Sequence, residues 1–92
     1  MALPYSYGLC RDHIDRLVKV DDDAICTAMA LMFREMKLAV EPGGAASTAA
    51  LTGPLADHLR GRRVGVVCCG SNIDQETFAR LLARGEKDGE SP

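Results

Sequence analysis

The stretch Val64-Gly-Val-Val-Cys-Cys69 most strongly limits what this chain can fold into. It is a continuous apolar run that is rich in β-branched residues, and Gly70 follows it directly. Such a run is typical of a strand that is covered on both faces, as in parallel sheets. The sequence therefore predicts one buried parallel strand here, and a strand of this kind needs neighbours on both sides.

A turn and a helix are predicted after this strand. Gly70-Ser71-Asn72 has the composition of a sharp turn, and a helix follows from Ile73 onward, with Asn72 and Gln75 spaced like a capping pair. Open α/β sheets bind ligands at the carboxyl ends of their strands, opposite helix N-termini. Because every α/β protein has such turns, this geometry alone is a weak indication of function.

A second helix is predicted after the triple aspartate Asp21–Asp23. Aspartate is a strong N-cap, and further acidic residues in the first turn favour the positive end of the helix dipole. The apolar positions that follow are spaced for one helix face; they are Ile25, Ala28, Met29, Met32, Phe33 and Met36. Three consecutive aspartates project in three directions, so we interpret them as a solvated cap and not as a metal site.

The rest of the chain completes an α/β pattern. A short edge strand is predicted at Leu17–Val20, after an irregular segment over residues 1–13. Pro42 suits the first position of a helix, and the two glycines that follow it permit close backbone approach. Leu55–Leu59 resembles a short helix, and residues 85–92 are polar enough to predict a disordered tail. We therefore expect one partial domain over residues 1–84.

Size and composition exclude several classes of function. Ninety-two residues allow a single domain, and a net charge of −2 with 4% aromatic residues argues against a nucleic-acid partner. No apolar stretch is long enough to span a membrane and no signal peptide is recognisable, so we expect a cytoplasmic protein without a membrane partner. The four cysteines form no CxxC, so we expect reduced thiols and no metal site.

Three ordered segments, VDDDAI, KLAVEPGGAASTAAL and GRRVGVVCCGSNID, resemble the C-terminal part of fold-type II pyridoxal-phosphate enzymes. Threonine dehydratase and serine racemase are the members that the motifs resemble. The leading MALPYSYGLCR is similar to a stretch just upstream in threonine-dehydratase-like members, including hydroxyectoine-utilisation dehydratases. The resemblance covers about residues 1–83. It implies an α/β fold like that of the tryptophan synthase β chain, of which this sequence is the C-terminal portion.

The resemblance also implies four cofactor-binding residues: Cys69, Glu41, Gly70 and Asn72. Cys69 matches the Ser or Cys beside the pyridine nitrogen of pyridoxal 5′-phosphate, and a thiol there leaves that nitrogen essentially neutral. Glu41 matches a glutamate near the cofactor ring, although a lone carboxylate before a helix also suits dipole compensation. Asn72 matches the asparagine that holds the turn. Ser71 departs from the family, which usually has glycine there.

The family's Schiff-base lysine, glycine-rich phosphate loop and substrate-carboxylate loop have no counterpart in this sequence. Its lysines are Lys19, Lys37 and Lys87, and none lies in the context of a catalytic amine. We therefore expect no catalytic residue here and little or no activity of the chain alone. The favoured hypothesis is a C-terminal fragment of a threonine/serine dehydratase-like ammonia-lyase, which converts hydroxy-amino acids to keto acid and ammonia.

Two alternatives remain open. The chain is either a non-catalytic interaction or assembly module that docks onto a full-length relative, or a small α/β domain that binds an anion at the helix start near Asn72. The expected partners are a small hydroxy-amino acid substrate in the complete enzyme, and the missing N-terminal portion or a full-length relative. In every case the run from Val64 to Cys69 predicts an exposed apolar patch when the chain is alone.

Overall fold

The computed structural model describes residues 4–90, with side chains as far as Lys87. It contains four helices, α1 (Pro4–His13), α2 (Asp22–Met36), α3 (Pro42–Thr52) and α4 (Gln75–Glu90). No strand occurs within residues 4–90. The first three residues of the predicted irregular segment and the last two of the predicted tail lie outside the described residues.

Helix α2 begins and ends at residues whose side chains and backbone satisfy its terminal groups. Asp21 is the N-cap, and its Oδ1 accepts a hydrogen bond from the Ala24 N–H at 2.8 Å. Lys37 closes the other end in the left-handed region with a φ of 57°. Its N–H donates to the Phe33 carbonyl at 3.1 Å, and the Leu38 N–H donates to the Met32 carbonyl at 3.3 Å. The predicted aspartate cap and the predicted helix are therefore confirmed.

The core lies where α2 packs against α3 and α4. Its buried members come from α2, α3 and the loop between them: Ala28, Met29, Met32, Val40, Ala45 and Ala49. Phe33 and Phe78 join α2 to α4 by an edge-to-face contact, with ring centroids 5.5 Å apart. Met36 and Phe33, at the end of the predicted apolar face, are 50% and 41% exposed, so that face is fully buried only from Ala28 to Met32.

Helix α4 begins at Gln75, two residues later than the predicted start at Ile73. Asp74, and not Asn72, acts as its cap, because Asp74 Oδ2 accepts the Thr77 N–H at 3.0 Å. The hydrogen bonds from the backbone and the side chain of Thr77 lower the pKa of Asp74 below its ordinary value. The predicted pairing of Asn72 with Gln75 was therefore wrong. Asp74 lies closer to the first free N–H groups of the helix and accepts a hydrogen bond from one of them.

The C-terminal part of α4 crosses the predicted boundary between residues 84 and 85. The helix continues to Glu90, and Gly85 is buried against the backbone of Cys26 in α2. Arg84, one residue earlier, donates through Nε to Asp23 Oδ1 at 2.7 Å. The polar composition after residue 84 thus belongs to a helix up to Glu90, while the domain boundary itself stays a prediction.

Two local expectations are corrected by the structure. Residues 4–13 form α1 and not an irregular segment, with Pro4 at the start of the helix, where its missing N–H costs no hydrogen bond. None of the residues of α1 is buried. The predicted short helix Leu55–Leu59 is a series of turns, closed by a hydrogen bond from the Leu59 N–H to the Leu55 carbonyl at 3.0 Å.

The two predicted strands, Leu17–Val20 and Val64–Cys69, belong to no regular element. Strand structure requires hydrogen bonds to a neighbouring backbone, and among residues 4–90 no backbone hydrogen bond joins Val64–Cys69 to another segment. Val64 is 40% exposed and Val67 is 74% exposed. The exposed apolar patch expected for the chain alone is therefore observed, and the strands stay predictions.

Within the described part of the chain, no helix is both long enough and apolar enough to cross a membrane.

Candidate functional site

The first turn of α3 meets the turn that precedes α4. Glu41 is the N-cap residue of α3, and Pro42 begins the helix. The Glu41 N–H donates a hydrogen bond to the Gly70 carbonyl at 3.0 Å. Two of the four predicted cofactor-binding residues are therefore joined through their backbones.

The Glu41 side chain lies directly against Gly70. A Cβ on Gly70 would stand 2.7 Å from Glu41 Cδ and 3.0 Å from its Cγ, which is closer than real Cβ atoms approach. Gly70 also has a φ of +89°, a conformation that residues with a side chain rarely adopt. The backbone conformation therefore favours glycine at position 70, and the missing side chain lets the Glu41 carboxylate lie against it.

A second contact joins Gly44 to Cys69. A Cβ on Gly44 would stand 3.1 Å from both the Cys69 carbonyl carbon and the Gly70 oxygen, and closer still to the Cys69 oxygen. Gly43 has no neighbour within 4 Å of such an atom. Close backbone approach was predicted for both glycines, and the structure restricts it to Gly44. We call the packing of Glu41 and Gly44 against Cys69 and Gly70 the turn contact.

The thiol of Cys69 is free and exposed beside the turn contact. A thiol is a weak donor and a weak acceptor, so it can pair with a ring nitrogen without carrying the full charge of a carboxylate. Glu41 is half-buried, and its side chain makes no capping hydrogen bond to α3. Its position against Gly70, and not helix capping, is therefore what the structure gives this side chain.

Asn72 and Ser71 complete the turn but take no part in the turn contact. The turn is closed by a hydrogen bond from the Ile73 N–H to the Ser71 carbonyl at 2.9 Å. Both residues are exposed, so the serine at position 71 is accommodated toward solvent. The roles of Asn72 in holding the turn and in binding a cofactor stay predictions.

The three lysines lie on other parts of the chain. Lys37 ends α2, and its Nζ donates to the Arg34 carbonyl at 3.0 Å. Lys19 precedes α2 and Lys87 lies near the end of α4, both exposed. None of the three therefore belongs to the first turn of α3 or to residues 69–72.

The acidic residues and the residues that line a cleft form no second candidate site beside the turn contact. Asp21 caps α2 and Asp23 pairs with Arg84, and within residues 4–90 no three His, Cys, Asp or Glu side chains are grouped to hold a metal ion. A cleft of about 540 Å³ is lined by Thr27, Leu31, Arg34 and neighbouring residues, away from the turn contact. The backbone contacts, and not this cleft, are the ground for placing the candidate site at Cys69.

The sequence predicted only part of the turn contact. The apolar run and its glycine indicated a strand-to-turn junction, and the resemblance supplied Glu41, Cys69 and Gly70. No local pattern indicated that Gly44 and Cys69 touch, because they are far apart in the chain. The available signal was the pair of glycines after Pro42, one of which is buried.

This chain is similar to known enzymes over most of its length. The family described as "Pyridoxal-phosphate dependent enzyme" matches this chain over residues 2–70. Phenylserine dehydratase from Ralstonia pickettii is 57% identical over 81 residues, which are 88% of this chain and 25% of that protein. The L-threonine dehydratase biosynthetic IlvA from Salmonella typhimurium is 36% identical over 70 residues, or 75% of this chain and 14% of that protein.

An L-threo-3-hydroxyaspartate ammonia-lyase from a Pseudomonas species is also similar, with 33% identity over 78 residues, which are 85% of this chain and 24% of that protein. The chain thus spans a quarter or less of the length of these three relatives. The predicted α/β class agrees with the family match, and the family match covers most of the chain. The chain belongs to the fold-type II family of pyridoxal-phosphate dependent enzymes.

Proposed function

We propose that this chain forms the part of a pyridoxal-phosphate lyase that faces the nitrogen edge of the cofactor ring. The complete protein would remove the β-hydroxyl from a hydroxy-amino acid and yield a keto acid and ammonia. The observation that carries the proposal is the hydrogen bond from the Glu41 N–H to the Gly70 carbonyl. It joins two family-matched segments at the residue that follows Cys69.

The residues present fit one edge of the cofactor. Cys69 offers a free, exposed thiol next to a glycine whose backbone conformation disfavours a side chain. Pyridoxal phosphate, when bound, supplies a sink for the electrons left at Cα when its proton leaves. A thiol at the ring nitrogen keeps that sink weak, and a weak sink suits elimination. There the electron pair at Cα forms a Cα–Cβ double bond as the Cβ–O bond breaks and the hydroxyl leaves with the electrons of that bond.

The class of substrate follows from what the relatives share. Their names specify phenylserine, threonine and 3-hydroxyaspartate as substrates. These amino acids differ in the group on the β-carbon, which is phenyl, methyl or carboxylate, but each carries a β-hydroxyl. We therefore propose a β-hydroxy amino acid as the substrate of the complete protein. We also propose that the reaction takes place in the cytoplasm.

The tethering amine and the phosphate-binding groups would come from another part of the domain. The three lysines of this chain lie outside the turn contact, and Lys37 already donates to a helix carbonyl. Val64–Cys69 and Leu17–Val20 would become a buried parallel strand and an edge strand once a neighbouring backbone pairs with them. Cys69, Glu41, Gly70 and Asn72 would then contribute to the cofactor site.

A segment exchange with the phenylserine dehydratase of Ralstonia pickettii tests this function. The 81 matched residues of that enzyme are replaced by those of this chain, and the purified chimera is assayed for cofactor absorbance and for ammonia released from phenylserine, threonine and serine. We expect a bound cofactor and ammonia from at least one of these amino acids. A chimera that folds and binds the cofactor but releases no ammonia from any of them would contradict the proposal.

The exposed apolar patch also favours a second candidate, a non-catalytic module that docks onto a full-length relative. Val64 and Val67 are open to a partner backbone in the chain alone. Affinity capture of the chain with a relative, without any gain in ammonia release over the relative alone, would favour this candidate. The anion-binding alternative loses support, because Asp74 places its own carboxylate at the start of α4.

A further inference from the structure

We propose that Gly44 is a positioning residue for Cys69. Because Gly44 has no Cβ, the first turn of α3 packs directly against the Cys69 carbonyl. This packing determines the position of the Cys69 thiol at the nitrogen edge of the cofactor. What the thiol faces rests on the proposed function, whereas the packing itself does not.

The contact involves backbone on both sides. Gly44 is buried, and the atoms nearest to a Cβ placed on it are the carbonyl group of Cys69 and the Gly70 oxygen. The carbonyl carbon is bonded to the Cys69 Cα and belongs to a planar peptide unit. A methyl group at position 44 therefore cannot be absorbed by rotation of a side chain, and it must move the Cys69 Cα together with its thiol.

The far side of the same peptide is also held. Gly70 accepts the Glu41 N–H at 3.0 Å and packs against the Glu41 side chain. A shift at Cys69 cannot pass freely into Gly70, because that residue is held by the hydrogen bond from Glu41 and by the Glu41 side chain. The thiol is therefore the group that the displacement would move.

No strand pairing competes with α3 for control of Cys69 in this chain. Among residues 4–90, no backbone hydrogen bond links Val64–Cys69 to another segment. The first turn of α3 is thus what places Cys69. Gly43, one residue earlier on the same helix, has open space where its Cβ would be and provides a matched control.

The test compares Gly44→Ala with Gly43→Ala in the full chain, since both changes add one methyl group to the same turn of α3. Each variant reacts with a limiting amount of iodoacetamide, and peptide mapping by mass spectrometry gives the ratio of labelled Cys69 to labelled Cys68. Cys68 is the reference because it is also exposed and directly adjacent, so general loosening changes both rates together. Circular dichroism verifies that each variant is folded.

We expect a several-fold change in this ratio for Gly44→Ala and the wild-type ratio for Gly43→Ala. A folded Gly44→Ala variant with the wild-type ratio would overturn the proposal. If Gly44→Ala does not fold, amide hydrogen exchange of the wild-type chain decides. The Glu41 N–H should exchange more slowly than the Gly43 N–H in the same turn, and equal rates would overturn the proposal.

The same two substitutions in the chimera test the role toward the cofactor separately. We expect Gly44→Ala to shift the absorbance maximum of the bound cofactor and Gly43→Ala to leave it unchanged. An unshifted maximum beside a changed thiol ratio would confine Gly44 to shaping the turn and overturn its positioning role. A parent chimera that binds no cofactor would contradict the proposed function, while the thiol ratio would still report the packing of Gly44.

Discussion

Gly85 in α4 packs directly against the carbonyl group of Cys26 in α2. A Cβ on Gly85 would stand 2.9 Å from the Thr27 nitrogen and closer still to the Cys26 carbonyl. Both neighbours are backbone atoms of a helix, so neither can rotate away. The two helices can cross this closely only because position 85 has no side chain.

Replacing Gly85 by alanine should therefore destabilise the chain. Alanine favours a helix over glycine by about 1 kcal/mol, but added bulk in a packed contact costs about 1–3 kcal/mol, and here the contact is with rigid backbone. We expect a net loss in the free energy of unfolding, measured by urea titration. Gly43→Ala is the control, since open space surrounds that position, and an equal effect of both changes would contradict the close crossing.

Removing a core methionine should have a larger effect than removing an exposed one from the same helix. Met29 is fully buried between α2 and its neighbours, and Met36 is 50% exposed. We expect Met29→Ala to lower the free energy of unfolding by about 2–5 kcal/mol and Met36→Ala to change it by no more than about 0.5 kcal/mol. Urea titration measures both variants, and similar losses would place the core elsewhere.

The cap of α4 should make stability depend on acidic pH. Hydrogen bonds from Thr77 lower the pKa of Asp74 in the folded chain below its ordinary value of 3.8. A carboxyl whose pKa is lower when folded contributes stability above its unfolded pKa, and that contribution disappears as the pH falls through the folded pKa. Wild type should therefore be more stable than Asp74→Asn at neutral pH.

The stability advantage of wild type over Asp74→Asn should shrink as acid is added, because the protonated carboxyl and the amide cap the helix alike. Thermal unfolding between neutral and strongly acidic pH measures the difference. Glu76→Gln serves as the control, since Glu76 lies in the same first turn but caps no N–H among the described hydrogen bonds. A constant difference across the whole pH range would show that Asp74 titrates identically in both states.

The chemical type of the side chain at position 69 should decide whether the chimera catalyses β-elimination. Serine retains a neutral hydroxyl beside the ring nitrogen, so Cys69→Ser should stay within several-fold of the parent in ammonia release. A carboxylate at the same place would favour a protonated nitrogen and a stronger electron sink, so Cys69→Asp should bind the cofactor with a shifted absorbance maximum and lose most of its ammonia release. Equal rates for the two variants would separate Cys69 from the ring nitrogen.

The chain alone should hold no single lysine that captures the cofactor. Lys37 is occupied by the Arg34 carbonyl, and Lys19 is exposed in the segment before α2. Pyridoxal phosphate followed by borohydride should therefore label the lysines slowly and without preference, as peptide mapping would show. Rapid labelling of one lysine, with a stable absorbance band, would contradict the view that the tethering amine lies outside this chain.

Local patterns in the sequence predicted the helices that have strong local signals. The spacing of Ile25, Met29 and Met32 with the cap at Asp21 predicted α2, and Pro42 predicted the start of α3, because both signals act within one or two turns. The helix at Pro4–His13 was missed, since Gly8 and the Tyr-Ser-Tyr run give no apolar face. The start of α4 was misplaced because Asn72 and Asp74 both have capping side chains, and local spacing did not choose between them.

Contacts between distant residues were beyond local patterns. The strand predicted at Val64–Cys69 depends on a neighbouring backbone, which no residue from 4 to 90 provides. The resemblance assigned Glu41 and Gly70 to the cofactor site, but their pairing came from the structure, as did the packing of Gly44 on Cys69 and of Gly85 on Cys26. In each of these glycine contacts, the decisive property is the absence of an atom, which leaves no mark on hydrophobic spacing.

The unpaired backbone from Val64 to Val67 has a consequence for the behaviour of the chain in solution. An apolar segment whose N–H and C=O groups lack partners accepts any strand that reaches it, including the same segment of a second molecule. Self-association therefore competes with pairing to a neighbouring strand of the fold, and a higher protein concentration favours aggregation. A neighbouring backbone that pairs with Val64–Val67 would remove this tendency to self-associate.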